Sequence, residues 1–320
     1  MNERKRVVVT GLGAMTPLHE TVDGYWASLL NGKSGISRMT LCDPSGYPCH
    51  VAGEVTGFDP SNYMDSKEAR RMARFSQLVV AASFNALSDS GIDVSKEDSN
   101  RLGIVLGNGI GGLPDTEEQC EVMNKKGGMR VSPFFIPMIL PNMAAANVSR
   151  LIGLKGYSST VITACAAGTQ GIGEGFEVIR RGLADVVFSG GTEAGITKLA
   201  LSGFSVIKAL TSRNENPEKA SSPFDVKRDG FVPAEGAGVL ILEELQHAKK
   251  RDAKIYAEIV GYGVSSDAFH QVQPQDEGQG AARAILTAIC DAGIQSKDID
   301  YVNAHGTSTP LNDAAETLAL

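Results

Sequence analysis

The stretch ALSDSGI at residues 86–92 returns as AICDAGI at residues 288–294. Each copy closes a helix-spaced segment at a glycine and precedes a short apolar run, at residues 102–106 and 299–303. Upstream, VVVTGLG at residues 7–13 is similar to EIVGYG at residues 258–263. Self-similarity of this kind marks a duplicated structural unit. The sequence therefore predicts two copies of one α/β unit, beginning near residues 5 and 254.

Apolar runs that end in glycine or polar turns recur along the chain and predict buried strands. They lie at residues 7–10, 102–106, 160–163, 186–189, 239–242, 255–260 and 299–303. Helical spacing predicts helices that stop at Gly91 and Gly293. Strands alternating with helices indicate βαβ units and a largely parallel sheet.

The repeat divides the chain into a first half, residues 1–253, and the start of a second half, residues 254–320. In the first copy, three further predicted strands follow the strand at residues 102–106. In the second copy no further strand follows residues 299–303, and residues 313–320 have the pattern of a helix that begins but has no stop signal. The expectation is an incomplete second half and a fragment of a longer protein.

Composition excludes several classes of protein. A formal net charge of −7 argues against a general nucleic-acid binder. The five cysteines form no CxxC pair and accompany no histidine cluster at zinc spacing, so neither a disulfide framework nor a metal site is expected. The start of the chain lacks a signal peptide's apolar region, and no window has the length of a membrane span. We expect a soluble, cytoplasmic protein.

Residues 160–168, TVITACAAG, have the pattern of a strand, a tight turn and a helix, with Cys165 at the turn. A thiol there lies near the positive end of a helix dipole, which favours the thiolate and suits a nucleophile. The alternative is an ordinary small buried residue. The glycines of the following helix, at positions 168, 171, 173 and 175, predict close packing in a central layer.

His305 lies in NAHGTSTP, residues 303–310, just past a predicted strand. By itself such a histidine is more often structural, but its counterpart in the first copy, the polar turn at Asn108, makes an acid/base or oxyanion-type role an equal alternative. His19, His50 and His247 lack such a context and are expected on the surface or in loops.

The glycine run GNGIGG at residues 107–112 matches a dinucleotide-binding fingerprint after a strand. Leu113 and Pro114 delay the helix, however, and Arg130 stands near the place of the ribose-binding acid. We therefore predict no cofactor.

Five motifs together resemble the family of 3-oxoacyl-[acyl-carrier-protein] synthases, most closely the synthase II type. They are TAC at residues 163–165, NAHGTST at 303–309, GNGIGG at 107–112, GGTE at 190–193 and RDGF at 228–231. The resemblance implies a thiolase-like fold, an αβαβα sandwich of two duplicated halves. It also implies a ping-pong Claisen condensation in which Cys165 accepts an acyl group and His305 is the first of two histidines that stabilise the malonyl thioester. The second histidine, a lysine and a gating loop would lie beyond Leu320, so the chain by itself is expected to be inactive.

Further positions are carried over from the family. The resemblance implies that Thr307 and Thr309 bind the pantetheine arm and that Ile110 and Phe204 line the acyl pocket. His270 matches a substrate-binding position, but Gln271-Val272 follow it where Met-Thr would be expected.

The implied partner is acyl-carrier protein, and the implied assembly is a homodimer without nucleic acid or membrane. Four cations match family docking positions: Lys67, Arg70, Arg71 and Lys208. For the first three, a solvated helix face is the alternative. Two other functions remain open, a thiolase that uses coenzyme A and a non-catalytic dimerising subunit.

Overall fold

A computed structural model describes residues 4–320. The first three residues of the N-terminal segment, in which no signal peptide is predicted, lie outside the described residues. The described chain contains eight strands: β1 Val7–Met15, β2 Ile36–Arg38, β3 Val51–Gly53, β4 Leu102–Gly107, β5 Ser158–Val161, β6 Val186–Glu193, β7 Gly236–Glu244 and β8 Ala257–Ile259. Its α-helices are α1 Val22–Leu30, α2 Ser66–Ala69, α3 Arg74–Ser90, α4 Leu113–Lys126, α5 Phe135–Ile139, α6 Met143–Ile152, α7 Ala167–Arg180, α8 Lys198–Val206, α9 Leu245–Lys250, α10 Gln279–Ala292 and α11 Pro310–Ala319.

The described residues form two compact units. The first comprises residues 4–35, Gly53–Ala200 and Ala234–Ile259, and the second comprises Ile36–Ala52, Leu201–Pro233 and Val260–Leu320. Both units are discontinuous in sequence. The division between residues 253 and 254 stays a prediction.

The first unit is built on a six-stranded sheet with the order β5-β4-β6-β7-β1-β8. β4 pairs in parallel with both β5 and β6, whereas the pairs β6–β7, β7–β1 and β1–β8 are antiparallel. The sheet is therefore mixed rather than largely parallel. Apolar runs identify buried strands but carry no information on strand direction.

Helices cover both faces of this sheet. Leu102, Ile104 and Leu106 of β4 share one buried cluster with α3 and α6. α7 approaches the other face, because a β-carbon added at Gly175 would lie 2.0 Å from Ser189 Oγ, and successive strand side chains point to opposite faces. At Gly171 an added β-carbon would lie 2.8 Å from the carbonyl oxygen of Gly190. Gly171 and Gly175 thus let α7 lie directly on the strands, which confirms close packing on this face. The position of α7 in a central layer stays a prediction.

The duplication is visible in matching contacts between a glycine pair and a helix. A β-carbon added at Gly11 or Gly13 would meet the carbonyl oxygen of Ala86 or Ala82, at 2.5 and 1.9 Å. In the second unit, a β-carbon added at Gly261 or Gly263 would meet the carbonyl oxygen of Ala288 or Ala284, at 2.4 and 2.2 Å. The matching helices α3 and α10 both end at a glycine in the left-handed conformation, Gly91 and Gly293.

Six of the seven predicted strands are confirmed, and residues 299–303 are the exception. They lie in no strand of the structure, and Tyr301 in their middle is 80% exposed. A strand is defined by hydrogen bonds to a neighbour, and the described residues do not provide that neighbour. Residues 257–259 of the second predicted copy are a strand, but they pair with β1 of the first.

Within residues 4–320, no helix combines the length and the apolar character needed to cross a membrane.

Candidate active site

Cys165 lies exposed in a single 3₁₀ turn, Ala164–Ala166, between β5 and α7. The preceding residue, Ala164, has a φ of +50°, in the left-handed region that residues with a β-carbon rarely adopt. Such a conformation costs about 1 kcal/mol or more and persists where the surrounding structure enforces it. The turn presents the thiol at the N-terminal end of a 14-residue helix, where the helix dipole stabilises an anion.

Three parallel strands bring their carboxyl ends together beside this turn. Gly107 of β4 is paired with Val161 of β5 on one side and with Gly191 of β6 on the other. A β-carbon added at Gly107 would lie 2.0 Å from the carbonyl oxygen of Ala167, the first residue of α7. This edge of an α/β sheet is where ligand sites are commonly built. The TAC, GNGIGG and GGTE motifs meet here.

Glu193, at the end of β6, holds the loop that follows β4. Its Oε2 accepts hydrogen bonds from the backbone N–H groups of Gly109 at 2.9 Å and Ile110 at 3.0 Å, and its Oε1 accepts one from Ala194 at 3.3 Å. Burial raises the pKa of this carboxyl, although the hydrogen bonds from Gly109, Ile110, Ala194 and Asn108 act in the opposite direction. Because two amides of the glycine run already donate to Glu193, they are not available to a dinucleotide phosphate.

Asn108 anchors the same loop from within. Its amide nitrogen donates to the carbonyl oxygen of Thr192 at 2.6 Å, and its side-chain oxygen accepts the N–H of Gly111 at 2.6 Å. Ile110, the predicted acyl-pocket residue, is exposed next to this anchor. The structure therefore brings the loop of Ile110 and the turn of Cys165 together.

His305 lies exposed in the loop before α11, in the second unit. Its backbone N–H donates to Glu316 Oε1 at 2.6 Å, and the N–H of Gly306 donates to Oε2 at 2.8 Å. The carboxylate of one residue of α11 thus fixes the backbone that carries the imidazole.

A second carboxylate of α11, Asp313, ties this loop to the RDGF segment. Asp313 is 1% exposed and accepts the N–H groups of Phe224 at 2.7 Å and Ser308 at 3.2 Å. Its Oδ2 lies 3.5 Å from Nε of Arg228, and that guanidinium also donates to the carbonyl oxygens of Thr309 and Pro310.

The predicted pantetheine contacts lie in the same loop as His305. Oγ1 of Thr307 and Oγ1 of Thr309 are 2.8 Å apart, and Thr309 also caps α11 by accepting the N–H of Asn312. Phe204 of α8, predicted for the acyl pocket, packs edge-to-face on Phe231 with ring centroids 5.2 Å apart.

His270 lies exposed in a loop of the second unit, and its Nδ1 accepts the N–H groups of Val272 and Gln273 at 3.1 and 3.0 Å. In the neutral imidazole this leaves Nε2 as the proton-bearing nitrogen. Position 272, where the family pattern predicts Thr, holds the apolar residue Val272. The backbone N–H of Val272 nevertheless helps to orient the imidazole ring of His270.

The four predicted docking cations are exposed. Lys67 lies in the short helix α2, and Arg70 and Arg71 follow it directly. The Arg71 guanidinium stacks 4.6 Å from the ring centroid of Phe134. Lys208 belongs to the second unit, just after α8.

Sequence reasoning missed the two carboxylates of α11 and gave no role to Glu193. Asp313 and Glu316 follow the NAHGTST motif on the next helix at i and i+3, a spacing that puts both on one face. That spacing was the available signal. Among residues 4–320, no group of three or more histidine, cysteine, aspartate or glutamate side chains is placed to hold a metal ion.

Comparison with known proteins agrees with this geometry. The model of "Beta-ketoacyl synthase, N-terminal domain" matches residues 4–248, and that of "Beta-ketoacyl synthase, C-terminal domain" matches residues 256–320. The 3-oxoacyl-[acyl-carrier-protein] synthase 2 of Staphylococcus aureus (strain COL) is 47% identical over 320 residues, which are 100% of this chain and 77% of that protein.

Solved structures give the same result. The ishigamide ketosynthase/chain length factor superposes with a TM-score of 0.92 at 33% identity, over 99% of this chain and 77% of its own. A second solved structure is a type II PKS acyl-carrier protein in complex with its ketosynthase. The matched chain of that structure superposes with a TM-score of 0.85 at 32% identity, over 99% of this chain and 77% of its own length.

A thiolase-like fold that presents an exposed cysteine before a helix defines the class of condensing acyltransferases. The N-terminal and C-terminal domain models of one family together match residues 4–248 and 256–320. The chain belongs to the beta-ketoacyl synthase family.

Proposed function

We propose that this protein lengthens acyl chains by decarboxylative Claisen condensation, as a 3-oxoacyl-[acyl-carrier-protein] synthase of fatty-acid elongation. The observation that carries the proposal is the exposed Cys165 at the strained turn before α7, in a chain 47% identical to a synthase 2. A non-catalytic subunit would not need an exposed thiol at a helix N-terminus.

The proposed reaction has two stages. The Cys165 thiolate attacks the carbonyl carbon of an acyl thioester, a new C–S bond forms, and the C–S bond to the carrier protein breaks. The carrier protein leaves as a thiolate, which takes a proton from water. Malonyl-carrier protein then loses CO₂, and the resulting carbanion attacks the acyl-cysteine carbonyl. A C–C bond forms, the C–S bond to Cys165 breaks, and the thiolate is restored with release of the 3-oxoacyl product.

We assign to His305 the stabilisation of negative charge on the malonyl thioester oxygen as CO₂ departs. Its exposed ring and the double anchoring of its backbone by Glu316 support this role. Thr307 and Thr309, two hydroxyls in the same loop, are assigned to the pantetheine arm. We assign Phe204 and Ile110 to the acyl chain, and His270, whose Nε2 bears the proton, to substrate binding.

We propose acyl-carrier protein as the partner, bound by Lys67, Arg70, Arg71 and Lys208. Their exposure supports this role, as does the solved complex of a type II PKS acyl-carrier protein with its ketosynthase.

We also propose that the protein is a homodimer in the cytoplasm. β5 is an edge strand of the six-stranded sheet, and Ile162 directly after it is 56% exposed. An open strand edge beside apolar side chains is a common site of pairing between chains. The cytoplasm is the compartment that keeps a catalytic thiol reduced.

Acylation of Cys165 tests the first stage by itself. The protein is mixed with acyl-carrier-protein thioesters, and the mass of the intact chain is measured over time. We expect one acyl addition, absent in Cys165→Ala and retained in the control Cys290→Ser. Addition of malonyl-carrier protein then tests CO₂ release, and whatever rate the chain shows should fall about 10²- to 10³-fold in His305→Ala, because a charge-stabilising group is removed. Acylation of Cys165→Ala at the parent rate would refute the proposal.

A further inference from the structure

Glu193 concentrates three main-chain donors on one carboxylate at the edge of the sheet that holds Cys165. Two of them, the N–H groups of Gly109 and Ile110, donate to the same oxygen, Oε2, at 2.9 and 3.0 Å. The third, from Ala194, reaches Oε1 at 3.3 Å. The loop after β4 is therefore held mainly through Oε2.

This hold reaches the nucleophile through close packing. A β-carbon added at Gly109 would lie 2.8 Å from Glu193 Oε2 and 3.7 Å from Cα of Ala164, the left-handed residue before Cys165. Gly109 thus lies close to both the carboxylate and the strained turn. A shift of the loop away from Glu193 would alter the surroundings of that turn.

The same hold fixes the side chain of Ile110. Its backbone N–H is one of the two donors to Oε2. A β-carbon added at Gly195, two residues after Glu193, would lie 3.5 Å from Ile110 Cδ1. The Ile110 side chain therefore packs beside the backbone that follows the anchoring carboxylate.

We propose that Glu193 is a positioning residue for acyl-chain selection, which fixes Ile110 through the main-chain N–H groups of Gly109 and Ile110. The inference rests on the proposed function, because it concerns the acyl group that Cys165 accepts. Glu193 itself takes no part in bond making. Its role depends on an oxygen acceptor at the Oε2 position and not on its negative charge.

This role makes two substitutions behave differently. Glu193→Gln keeps an amide oxygen that can accept both N–H groups, since both donate to a single oxygen and a carbonyl oxygen has two lone pairs. Glu193→Ala removes the acceptor and releases the loop. A role based on charge predicts instead that both substitutions have the same effect.

The test measures rates of Cys165 acylation with carrier-protein thioesters of short, medium and long saturated chains. The readout is discrimination, defined as the ratio of the fastest to the slowest rate within one variant. Partial unfolding lowers all rates of a variant equally and cancels in this ratio. We expect discrimination to contract about tenfold in Glu193→Ala, which corresponds to about 1.4 kcal/mol, and to stay within about twofold of the parent in Glu193→Gln.

Glu121→Ala is the matched control, because Glu121 lies on α4 with an exposed side chain paired to Lys125. It should keep the parent ratio. Unchanged discrimination in Glu193→Ala would overturn the proposal, and so would a contraction of equal size in Glu193→Gln. If no carrier-protein thioester acylates Cys165 in the parent, the proposed function itself fails and the inference falls with it.

Discussion

The carboxylate of Asp291 accepts the backbone N–H of Tyr262 at 3.1 Å, and Asp89 makes the equivalent contact to Leu12 at 2.8 Å. In each case a helical aspartate holds the residue between two glycines of a Gly-x-Gly segment. Asp89 and Asp291 occupy the same place in the repeated ALSDSGI and AICDAGI stretches. The two copies of the duplicated unit therefore share equivalent hydrogen bonds as well as similar sequences.

The first prediction concerns the two glycines that pack most tightly on these helices. A β-carbon at Gly13 would lie 1.9 Å from the carbonyl oxygen of Ala82, and one at Gly263 would lie 2.2 Å from that of Ala284. Backbone atoms cannot move aside without shifting the helix, so we expect Gly13→Ala and Gly263→Ala each to cost about 3 kcal/mol or more. Urea unfolding measures the loss.

Gly238→Ala is the control for this pair. Gly238 lies on β7, and an added β-carbon would have no heavy atom within 4 Å outside its own neighbourhood. We expect a change of about 0.5 kcal/mol or less. Equal losses at all three positions would show that packing against the helices is not the cause.

Most of the larger elements could be predicted from sequence because their signals are local. Helix α3 follows from apolar spacing and a glycine stop, and β4 follows from an apolar run. The direction of β7 could not be predicted, because buried strands have the same composition in either direction. The absence of a strand at residues 299–303 of the described chain also depends on a distant neighbour, which no local pattern reveals.

The site shows the same limit. Cys165 was predicted as a candidate nucleophile because the strand, the turn and the helix around it are contiguous in sequence. The role of Asp313 was not, since its carboxylate binds the N–H of Phe224, 89 residues away in the chain. His247 was expected on the surface or in a loop, yet it lies half-buried on α9 between two carboxylates. Such contacts become visible only when the chain has folded.

The second prediction is that iodoacetamide labels Cys165 before the other cysteines. Cys120 and Cys290 are also exposed, but Cys290 lies in the last turn of α10, where the helix dipole does not favour an anion. Cys49 is buried, and burial raises the pKa of its thiol. Peptide mass spectrometry after partial alkylation reports the order. Preferential labelling of Cys42 or Cys290 with Cys165 untouched would contradict the assignment of the nucleophile.

The third prediction tests the proposed docking cations. Reversing both charges, in Arg70→Glu with Arg71→Glu, should weaken binding of acyl-carrier protein about tenfold at low ionic strength. The effect should shrink in 0.5 M salt, because exposed charges are screened over about 10 Å or less. Lys250→Glu, an exposed cation of α9, is the control. If the double charge reversal leaves the affinity for acyl-carrier protein unchanged at low salt, Arg70 and Arg71 are solvated residues at a helix end and not docking residues.

The fourth prediction concerns Asp313, whose buried carboxylate joins three groups of the second unit. Asp313→Ala leaves the Arg228 guanidinium and the N–H groups of Phe224 and Ser308 without this acceptor. We expect a loss of about 3 kcal/mol in unfolding free energy. Asp313→Asn should lose less, because its amide oxygen can still accept one N–H. Equal losses for the two variants would show that the retained acceptor oxygen contributes nothing and that the negative charge beside Arg228 carries the effect.

The last prediction rests on a cluster in the first unit that links β7, α9 and the loop before β4. His247 Nδ1 lies 2.6 Å from Glu243 Oε1, and its Nε2 lies 3.0 Å from Glu97 Oε2. Glu243 is fully buried and also accepts hydrogen bonds from Arg251 and Thr10. Burial raises the pKa of Glu243, but the hydrogen bonds from these partners outweigh it and lower the pKa. The carboxylate therefore stays ionised and attracts a proton to the imidazole.

Two carboxylates on one imidazole make the stability of the protein depend on pH. Burial lowers the pKa of His247, but the hydrogen bonds from its ring to Glu243 and Glu97 outweigh burial and raise the pKa above 6.5. A raised pKa means that the stabilising contribution is fully present below pH 6.5 and is lost as the pH rises through the folded-state value. We expect His247→Gln to cost about 1 to 2 kcal/mol at pH 6 and clearly less at pH 9. Urea unfolding of the parent, of His247→Gln and of the control His50→Gln, whose ring contacts the carbonyl of Tyr47, measures this difference. A loss that is the same at both pH values would mean that His247 stabilises the fold by packing alone and not as a cation held between the two glutamates.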